Sequence, residues 1–284
     1  LAAARAADGV LVLRKTFGPL ATWLLRRAAK KLLFDFDDAI FVASNGQPST
    51  TRNRRFVRMV RCCDQVWAGN RFLQQQAAGW NSDVKLVPTV VDEQKYRLAD
   101  HEADDSVDLV WIGSRSTRKY LQTLVPLLNG LGQQNGRIRL KVVADFELEG
   151  LTLPQLRVDW SEAAETQALA SAHIGLAPLI DNDWTRGKCG LKVLQYMAAG
   201  LPVVTDEVGV NQSMVTHGET GYVVNSEAEW TQALLSLAGD ASQRRRMGLA
   251  GRRKLIDDGY TLTHNAQRLP ELLDGVTGLD AIEK

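Results

Sequence analysis

The chain alternates short apolar runs with amphipathic stretches along its 284 residues, and this alternation constrains the fold more than any other feature. Apolar runs such as 9–15, 32–41 and 108–114 have the length of strands, and the stretches between them have helical spacing. Strands that alternate with helices form parallel sheets that are covered on both faces. We therefore predict an α/β protein with two Rossmann-like domains built on parallel sheets.

The acidic, aperiodic stretch LADHEADDS, residues 98–106, divides this alternation into two parts. It predicts a linker between a partial first domain, residues 1–97, and a second domain, residues 107–284, that ends in a helical tail. The first part is short for such a domain and the chain starts with Leu rather than Met. We therefore expect part of a truncated first domain to precede Leu1.

Composition excludes several classes of protein. The chain is 45% hydrophobic and 24% charged, which is ordinary for a globular protein. Its three cysteines and four histidines have no metal-ligand spacing, so no metal site is predicted and a reduced, cytoplasmic protein is expected. No apolar run reaches about 18 residues, so no transmembrane helix is predicted.

Positive charge is concentrated near the start of the chain. The first 66 residues hold twelve Lys or Arg and five Asp or Glu, with the densest run, RNRRFVRMVR, at 52–61. Such a segment can contact phosphates, nucleic acid or an anionic membrane, or it can be a solvated helix face. No recognition helix or aromatic RNA motif accompanies it, so no nucleic-acid partner is predicted. Peripheral contact with the inner face of a membrane stays open as a hypothesis.

Ligands of parallel α/β sheets bind beyond the carboxyl ends of the strands, so residues that follow each strand are the first candidates. The stretch WIGSRSTRKYL reads as strand, glycine, hydroxyl-rich turn and helix, the helix predicted over 118–131. Gly113 would let a ligand approach the backbone, and Ser114 could donate to an anion. Arg115 and Lys119 add positive charge. Plain N-capping beside exposed cations is the alternative interpretation.

A second candidate is the stretch KCGLKVLQYMAAGLPVV, which predicts a helix that ends at Gly200 before another strand. Lys188, Lys192 and Gln195 have the spacing i, i+4, i+7 and are predicted to share one face of it. Leu191, Leu194 and Met197 are predicted to share another face, the core face.

This helix follows the predicted strand IGLAPLI, so Lys192 is expected to point at the same crevice as Gly113. Two anion-binding segments at one crevice suit a diphosphate better than a single carboxylate. The sequence therefore predicts a diphosphate site.

Carboxylates follow the apolar run LLFDF. Asp35 and Asp37 are predicted to point to one side of a strand, and Asp38 follows at its end. Helix capping and loop bracing are the alternative to a functional role. Carboxylates at the end of an apolar strand are costly unless they have partners, which favours the functional role.

The stretch LKVLQYMAAGLPVVTDEVGVN, followed by HGETGYVV, resembles the C-terminal domain of retaining glycosyltransferases of family 4, also called group 1. The resemblance covers about 108–273 and is most specific over 187–224. It implies the GT-B fold, with two Rossmann-like domains, the second of which binds a nucleotide-diphosphate sugar. It also implies sugar transfer with retention, without a metal or cofactor, to a glycan or lipid-linked acceptor.

The resemblance further implies roles for single residues. Lys119 matches the lysine that holds the diphosphate, while the arginine position is Ser114, with Arg115 one residue later. Backbone amides near Gly113 and Gly190 are expected to contact the diphosphate beside Lys192.

The E-x7-E signature of the family falls on Gly187 and Gln195, so neither position has its glutamate. Gln195 can still bond to ribose or sugar hydroxyls, and Lys188 adds positive charge there. Asp37 falls where many members have a histidine that faces the acceptor, so Asp37 and Asp38 are predicted to position the acceptor. Because the two glutamates are missing, a non-catalytic nucleotide-sugar-binding module stays open as an alternative. A GT-B enzyme of another type, such as a nucleotide-sugar epimerase, is a second alternative.

Overall fold

A computed structural model of the chain describes residues 1–102 and 106–274. These residues form two compact units. The first comprises Leu1–Thr89, Asp181–Cys189 and the described part of Thr263–Lys284, and the second comprises Val90–Ile180 and Gly190–Leu262. Each unit is built on one parallel sheet flanked by helices, so the predicted α/β class with two Rossmann-like sheets is confirmed.

The strands of the two sheets follow the predicted apolar runs. The first sheet has the order β1 (Gly9–Leu13), β2 (Lys31–Phe36), β3 (Gln65–Ala68), β4 (Val84–Leu86). The second unit contains β5 (Val107–Ile112), β6 (Ile138–Val143), β7 (Gln155–Val158), β8 (Ile174–Ala177), β9 (Val203–Asp206) and β10 (Gly221–Val224). Their order across the second sheet is β10-β9-β8-β5-β6-β7.

Helices connect and cover these strands. In chain order they are α1 (Ala2–Ala6), α2 (Pro19–Ala28), α3 (Thr50–Cys62), α4 (Arg71–Ala78), α5 (Arg118–Gln122), α6 (Val125–Gln134), α7 (Glu162–Ala170), α8 (Asp183–Arg186), α9 (Leu191–Ala198), α10 (Asn211–Met214), α11 (Glu227–Gly239), α12 (Ala241–Asp257) and α13 (Leu262–Leu273). Among the described helices, none is both long and apolar enough to cross a membrane.

The core of the first unit is aromatic. Phe34 and Phe36 on β2 stack with ring centroids 5.3 Å apart, and Phe36 meets Phe56 of α3 edge-on at 5.1 Å. The four strands are neighbours in chain order, and right-handed crossovers then put α2, α3 and α4 on the same face of the sheet. Fully buried aromatic pairs of this kind fix β2, whose end carries the predicted carboxylates.

The sheet of the second unit is buried on both faces. Along β5, Leu109 and Trp111 belong to one hydrophobic cluster, and Val110 and Ile112 belong to the other. This alternation is the period of two that a strand between two helical layers requires.

Two predicted helices differ from the structure. The helix predicted over 118–131 is two helices, α5 and α6, because Pro126 stands in the first turn of α6 and cannot continue an existing helix. The lysine-bearing helix α9 begins only after Gly190, which adopts a left-handed conformation with φ +69°.

The placement of Lys188 on that helix is therefore wrong. Lys188 precedes Gly190 and belongs to the first unit, whereas Lys192 and Gln195 lie on α9 in the second. Leu191, predicted in the core, is 47% exposed. The left-handed conformation of Gly190 changes the direction of the chain, so a helical periodicity counted across this residue does not apply.

The predicted boundaries 1–97, 98–106 and 107–284 also need correction. Residues 103–105 of the predicted linker lie outside the described residues. At its start, the Asp100 N–H donates to the Ala170 carbonyl over 3.2 Å, and His101 is only 4% exposed. This stretch therefore packs on the second unit. It is polar in sequence but not a free connection.

The helical tail is divided between the units. Leu272 and Leu273 of α13 pack against Leu33 and Trp67 of the first unit. A sequence boundary could not reveal this, because the apolar stripe of α13 indicates that the helix packs against another element but not which sheet it contacts.

Candidate donor and acceptor sites

The loop after β5 is shaped by the indole ring of Trp111. A Cβ atom at Gly113 would lie 2.3 Å from Cη2 of that ring and 2.8 Å from Oγ1 of Thr117. Trp111 is fully buried, and its Nε1 has no hydrogen-bond partner. Glycine at 113 is therefore required by the ring of Trp111, an intramolecular reason that the motif did not indicate.

Lys192 lies beside the Trp111 ring, within the second unit. Its Nζ is 4.3 Å from the centroid of the Trp111 ring, a cation–π contact that joins the first turn of α9 to β5. Gly190, the N-cap of α9, offers no side-chain cap, and a Cβ there would lie 2.5 Å from Sδ of Met214. The first-turn N–H groups of α9 thus have no side-chain capping partner, and they stand beside a lysine. Such an arrangement is chemically suited to an anion.

The remaining predicted diphosphate residues have other contacts. The hydroxyls of Ser114 and Ser116 are 2.8 Å apart, and the Ser114 N–H donates to Oγ1 of Thr117, so the turn is braced internally. Arg115 donates from Nε to the Asp145 carboxylate over 2.7 Å and from Nη2 to its carbonyl. Lys119 is exposed, with Nζ 5.1 Å from the Tyr120 ring centroid. The structure thus joins Lys192 to the loop of Gly113 and holds Arg115 in an ion pair.

Gln195 lies in a buried polar cluster. Its Nε2 donates to Oε1 of Glu165 over 2.6 Å, and it is also 3.2 Å from the Tyr96 hydroxyl. Trp160, 61% exposed, donates from Nε1 to the other oxygen of Glu165 over 2.9 Å. Burial raises the pKa of Tyr96 to about 12, so its hydroxyl stays a donor to Glu165. The amide of Gln195 therefore orients a carboxylate that is flanked by an exposed indole.

In the first unit, the predicted carboxylates cluster at the end of β2. Burial raises the pKa of Asp35 to about 6, with a smaller contribution from the negative charge of Asp37. Burial also raises the pKa of Asp37, against the opposing effect of Arg14. Oδ1 of Asp37 is buried and has no hydrogen-bond partner, while Oδ2 accepts from Arg14.

Arg14 holds an unusual backbone conformation beside these carboxylates. Its φ is +57°, and over the described residues no other non-glycine residue has a positive φ. Its N–H donates to the Asp35 carbonyl over 2.8 Å, and its guanidinium pairs with Asp37. A strained residue held between two functional candidates is typical of a site in which geometry matters more than local stability.

The segment after α8 explains one departure from the glutamate signature. A Cβ at Gly187 would lie 2.5 Å from Cβ of Ala39 and 2.7 Å from its backbone nitrogen. No side chain fits there. Lys188 places Nζ 3.6 Å from Oδ1 of Asp38 and 5.4 Å from the Trp184 ring centroid. Lys188 therefore belongs to the carboxylate cluster of the first unit.

Sequence reasoning missed two residues of these sites. Arg14 directly follows β1, so the rule that ligands bind beyond strand ends could have found it. Glu165 lies within α7 and has no sequence signal, because only the fold brings it to Gln195. Over residues 1–102 and 106–274, no group of three His, Cys, Asp or Glu could hold a metal ion.

Residues 84–240 match the family described as glycosyl transferases group 1, and the chain belongs to this family. It is 37% identical over 84 residues to D-inositol 3-phosphate glycosyltransferase of Nocardia farcinica, a match over 29% of this chain and 18% of that protein. It is 29% identical over 150 residues to the enzyme of the same name from Pseudarthrobacter chlorophenolicus, over 50% of this chain and 32% of that protein. The matches thus span a third or less of these relatives.

Solved structures share the fold at low sequence identity. Sucrose-phosphate synthase from Thermosynechococcus elongatus has a TM-score of 0.76 and 16% identity, over 95% of this chain and 74% of that one. HepE of Anabaena in complex with UDP-glucose has a TM-score of 0.70 and 14% identity, over 96% and 80% of the two chains. These similarities support the GT-B class, and at such identities they bear on the fold alone.

Proposed function

We propose that the protein transfers a sugar, with retention, from a nucleotide-diphosphate sugar to a glycan or lipid-linked acceptor. The observation that carries this proposal is the contact of Lys192 with Trp111, which puts a cation and the uncapped start of α9 beside the loop after β5. Family membership and the UDP-glucose complex of HepE support a nucleotide sugar as the donor.

The leaving diphosphate would be stabilised by charge that the protein itself supplies. Lys192 and the first-turn amides of α9, beside Gly190 and Gly113, would share this role. Lys119 would add charge from an exposed position, and Ser114 would donate from its hydroxyl. Arg115 would have to leave Asp145 to contribute, so it is the weakest of the predicted ligands. No step of this proposal requires a metal or a cofactor.

The nucleoside would bind at the cluster around Glu165. Trp160 offers an exposed indole face for stacking on a base. Glu165, oriented by Gln195, would accept hydrogen bonds from ribose hydroxyls in place of the glutamate that the family signature has at 195.

The carboxylates of the first unit would position the acceptor. The buried, unpartnered oxygen of Asp37 is suited to accept a hydrogen bond from an incoming hydroxyl group. Asp38, with its charge partly balanced by Lys188, would provide a second acceptor atom.

The proposal is tested by thermal shift against uridine, guanosine and adenosine diphosphate sugars, followed by detection of sugar transfer. One donor class should raise the midpoint by several degrees. Lys192→Met should weaken nucleoside diphosphate binding about 10- to 100-fold and leave the free nucleoside unaffected, since a charged contact is worth about 1.5–3 kcal/mol. Lys254→Met, a surface lysine of the same unit, is the matched control. A flat panel with the full-length protein would contradict the proposal.

A non-catalytic donor-binding module is the second candidate, and one observation favours it. The space at Gly187 admits no carboxylate, so the first glutamate of the family signature has no substitute at its own position. Donor binding without transfer or hydrolysis, for every acceptor tried, would support this candidate over the enzyme.

A further inference from the structure

The helices on one face of the first sheet carry an extreme charge. Together, α2, α3 and α4 contain eight arginines and not one Asp or Glu. These residues are Arg26, Arg27, Arg52, Arg54, Arg55, Arg58, Arg61 and Arg71. Over the described residues, Arg54, Arg55 and Arg58 form no ion pair, whereas Arg26 of α2 pairs with Asp64. Helices whose only charged side chains are positive are suited to contact a negatively charged partner.

A groove runs along α3 on this face. It has a volume of about 620 Å³, and its lining includes Arg54, Val57, Arg58, Arg61 and Trp80. The guanidinium of Arg61 lies 4.3 Å from the centroid of the Trp80 ring, and Trp80 is 43% exposed. The groove thus combines several phosphate-binding groups with an aromatic ring that has a polar edge.

The neighbouring helix α2 exposes apolar side chains in a stripe. Leu20 is 69% exposed, Trp23 54% and Leu24 37%, at the spacing i, i+3, i+4. Arg27 continues the stripe, with its guanidinium 5.1 Å from the Trp23 ring centroid. Helix α2 packs against α3, so the stripe and the groove lie on adjacent helices. We call the exposed residues of α2, α3 and Trp80 the arginine face.

We propose that the arginine face docks on an anionic phospholipid membrane. The arginines of α3 would contact lipid phosphates, and Trp23 and Trp80 would lie at the level of the headgroups with Leu20 and Leu24 below them. A soluble phosphate or a polynucleotide would use the arginines but would leave the exposed leucines in water. The apolar stripe therefore favours the membrane over both.

The test is sedimentation with mixed phosphatidylglycerol–phosphatidylcholine vesicles, using the full chain. The double variant Arg54→Glu/Arg58→Glu should lose about 25-fold or more in partitioning, since each basic residue near an anionic surface contributes about a five-fold effect. Arg246→Glu/Arg253→Glu, on exposed positions of α12, makes the same change in net charge and should keep the binding. All four positions are accessible to solvent, so the variants are expected to fold. Thermal midpoints equal to that of the wild type check this.

A second variant separates a membrane from other anions. Trp23→Ser should weaken vesicle binding several-fold and leave the binding of heparin, a polyanion without acyl chains, unchanged. Absence of wild-type binding, equal loss in the two double variants, or equal binding to pure phosphatidylcholine would overturn the proposal. Release from vesicles by millimolar glycerol phosphate at constant ionic strength would overturn it in favour of a soluble phosphate ligand. Tighter binding to a polynucleotide than to vesicles would overturn it in favour of nucleic acid. None of these readouts depends on sugar transfer.

Discussion

Restoring the glutamate of the family signature at position 195 should damage this protein. Gln195 donates to Glu165 over 2.6 Å, so Gln195→Glu would set two carboxylates against each other. Two unit charges about 4 Å apart repel by about 4 kcal/mol at an effective dielectric constant of about 20. We expect the pair to relax and to bind a proton. The remaining cost, which is mainly that of holding this proton at neutral pH, is about 2–4 kcal/mol.

This cost should depend on pH in a defined direction. The folded variant holds a proton that the unfolded chain releases above its ordinary glutamate pKa of about 4.3. Its stability relative to the wild type therefore falls as the pH rises from about 4 through the raised pKa of the pair. In differential scanning fluorimetry near neutral pH we expect a decrease of roughly 5–12 °C in the midpoint, and a smaller decrease near pH 5.

The double variant Glu165→Gln/Gln195→Glu is the matched control. It exchanges the carboxylate and the amide and restores one donor facing one acceptor, so it should recover at least half of the lost stability. A single variant as stable as the wild type at both pH values would refute the reasoning. So would a double variant no more stable than the single one.

Three further predictions concern other positions. Burial raises the pKa of Asp35 to about 6, so the folded state binds the proton more tightly than the unfolded chain and stability falls as the pH rises from about 4 to about 6. Asp35→Asn should reduce that slope in urea unfolding and stabilise the protein by about 1–3 kcal/mol near neutral pH; an unchanged slope would contradict it. Gly187→Ala should lower the free energy of unfolding by about 1–3 kcal/mol because its Cβ would collide with Ala39. The control Gly79→Ala, which has no atom within 4 Å of the new Cβ, should not show this loss. Equal unfolding midpoints of the two variants would exclude the collision. Trp160→Ala should lower the affinity for the donor, measured by calorimetry, by about 5- to 100-fold with little change in stability. An affinity equal to that of the wild type would rule out base stacking on Trp160.

The sequence predicted the architecture because its information is local. Apolar runs of strand length between amphipathic stretches gave both parallel sheets, and the end of β2 was expected to carry carboxylates. Predictions from local periodicity failed where a glycine or a proline interrupts a helix. Gly190 separated Lys188 from the helix that periodicity assigned to it, and Pro126 divided another helix.

The sequence by itself thus determined the fold class and the strand ends at which ligands were to be sought, since both follow from the spacing of apolar residues along the chain. Only the tertiary structure decided which side chains meet there. It brought Lys192 to Trp111 and Glu165 to Gln195, placed α13 in the first unit, and left no space beside Gly187. These contacts join residues that are far apart in the chain, and periodicity within one segment carries no information about the segment that packs against it.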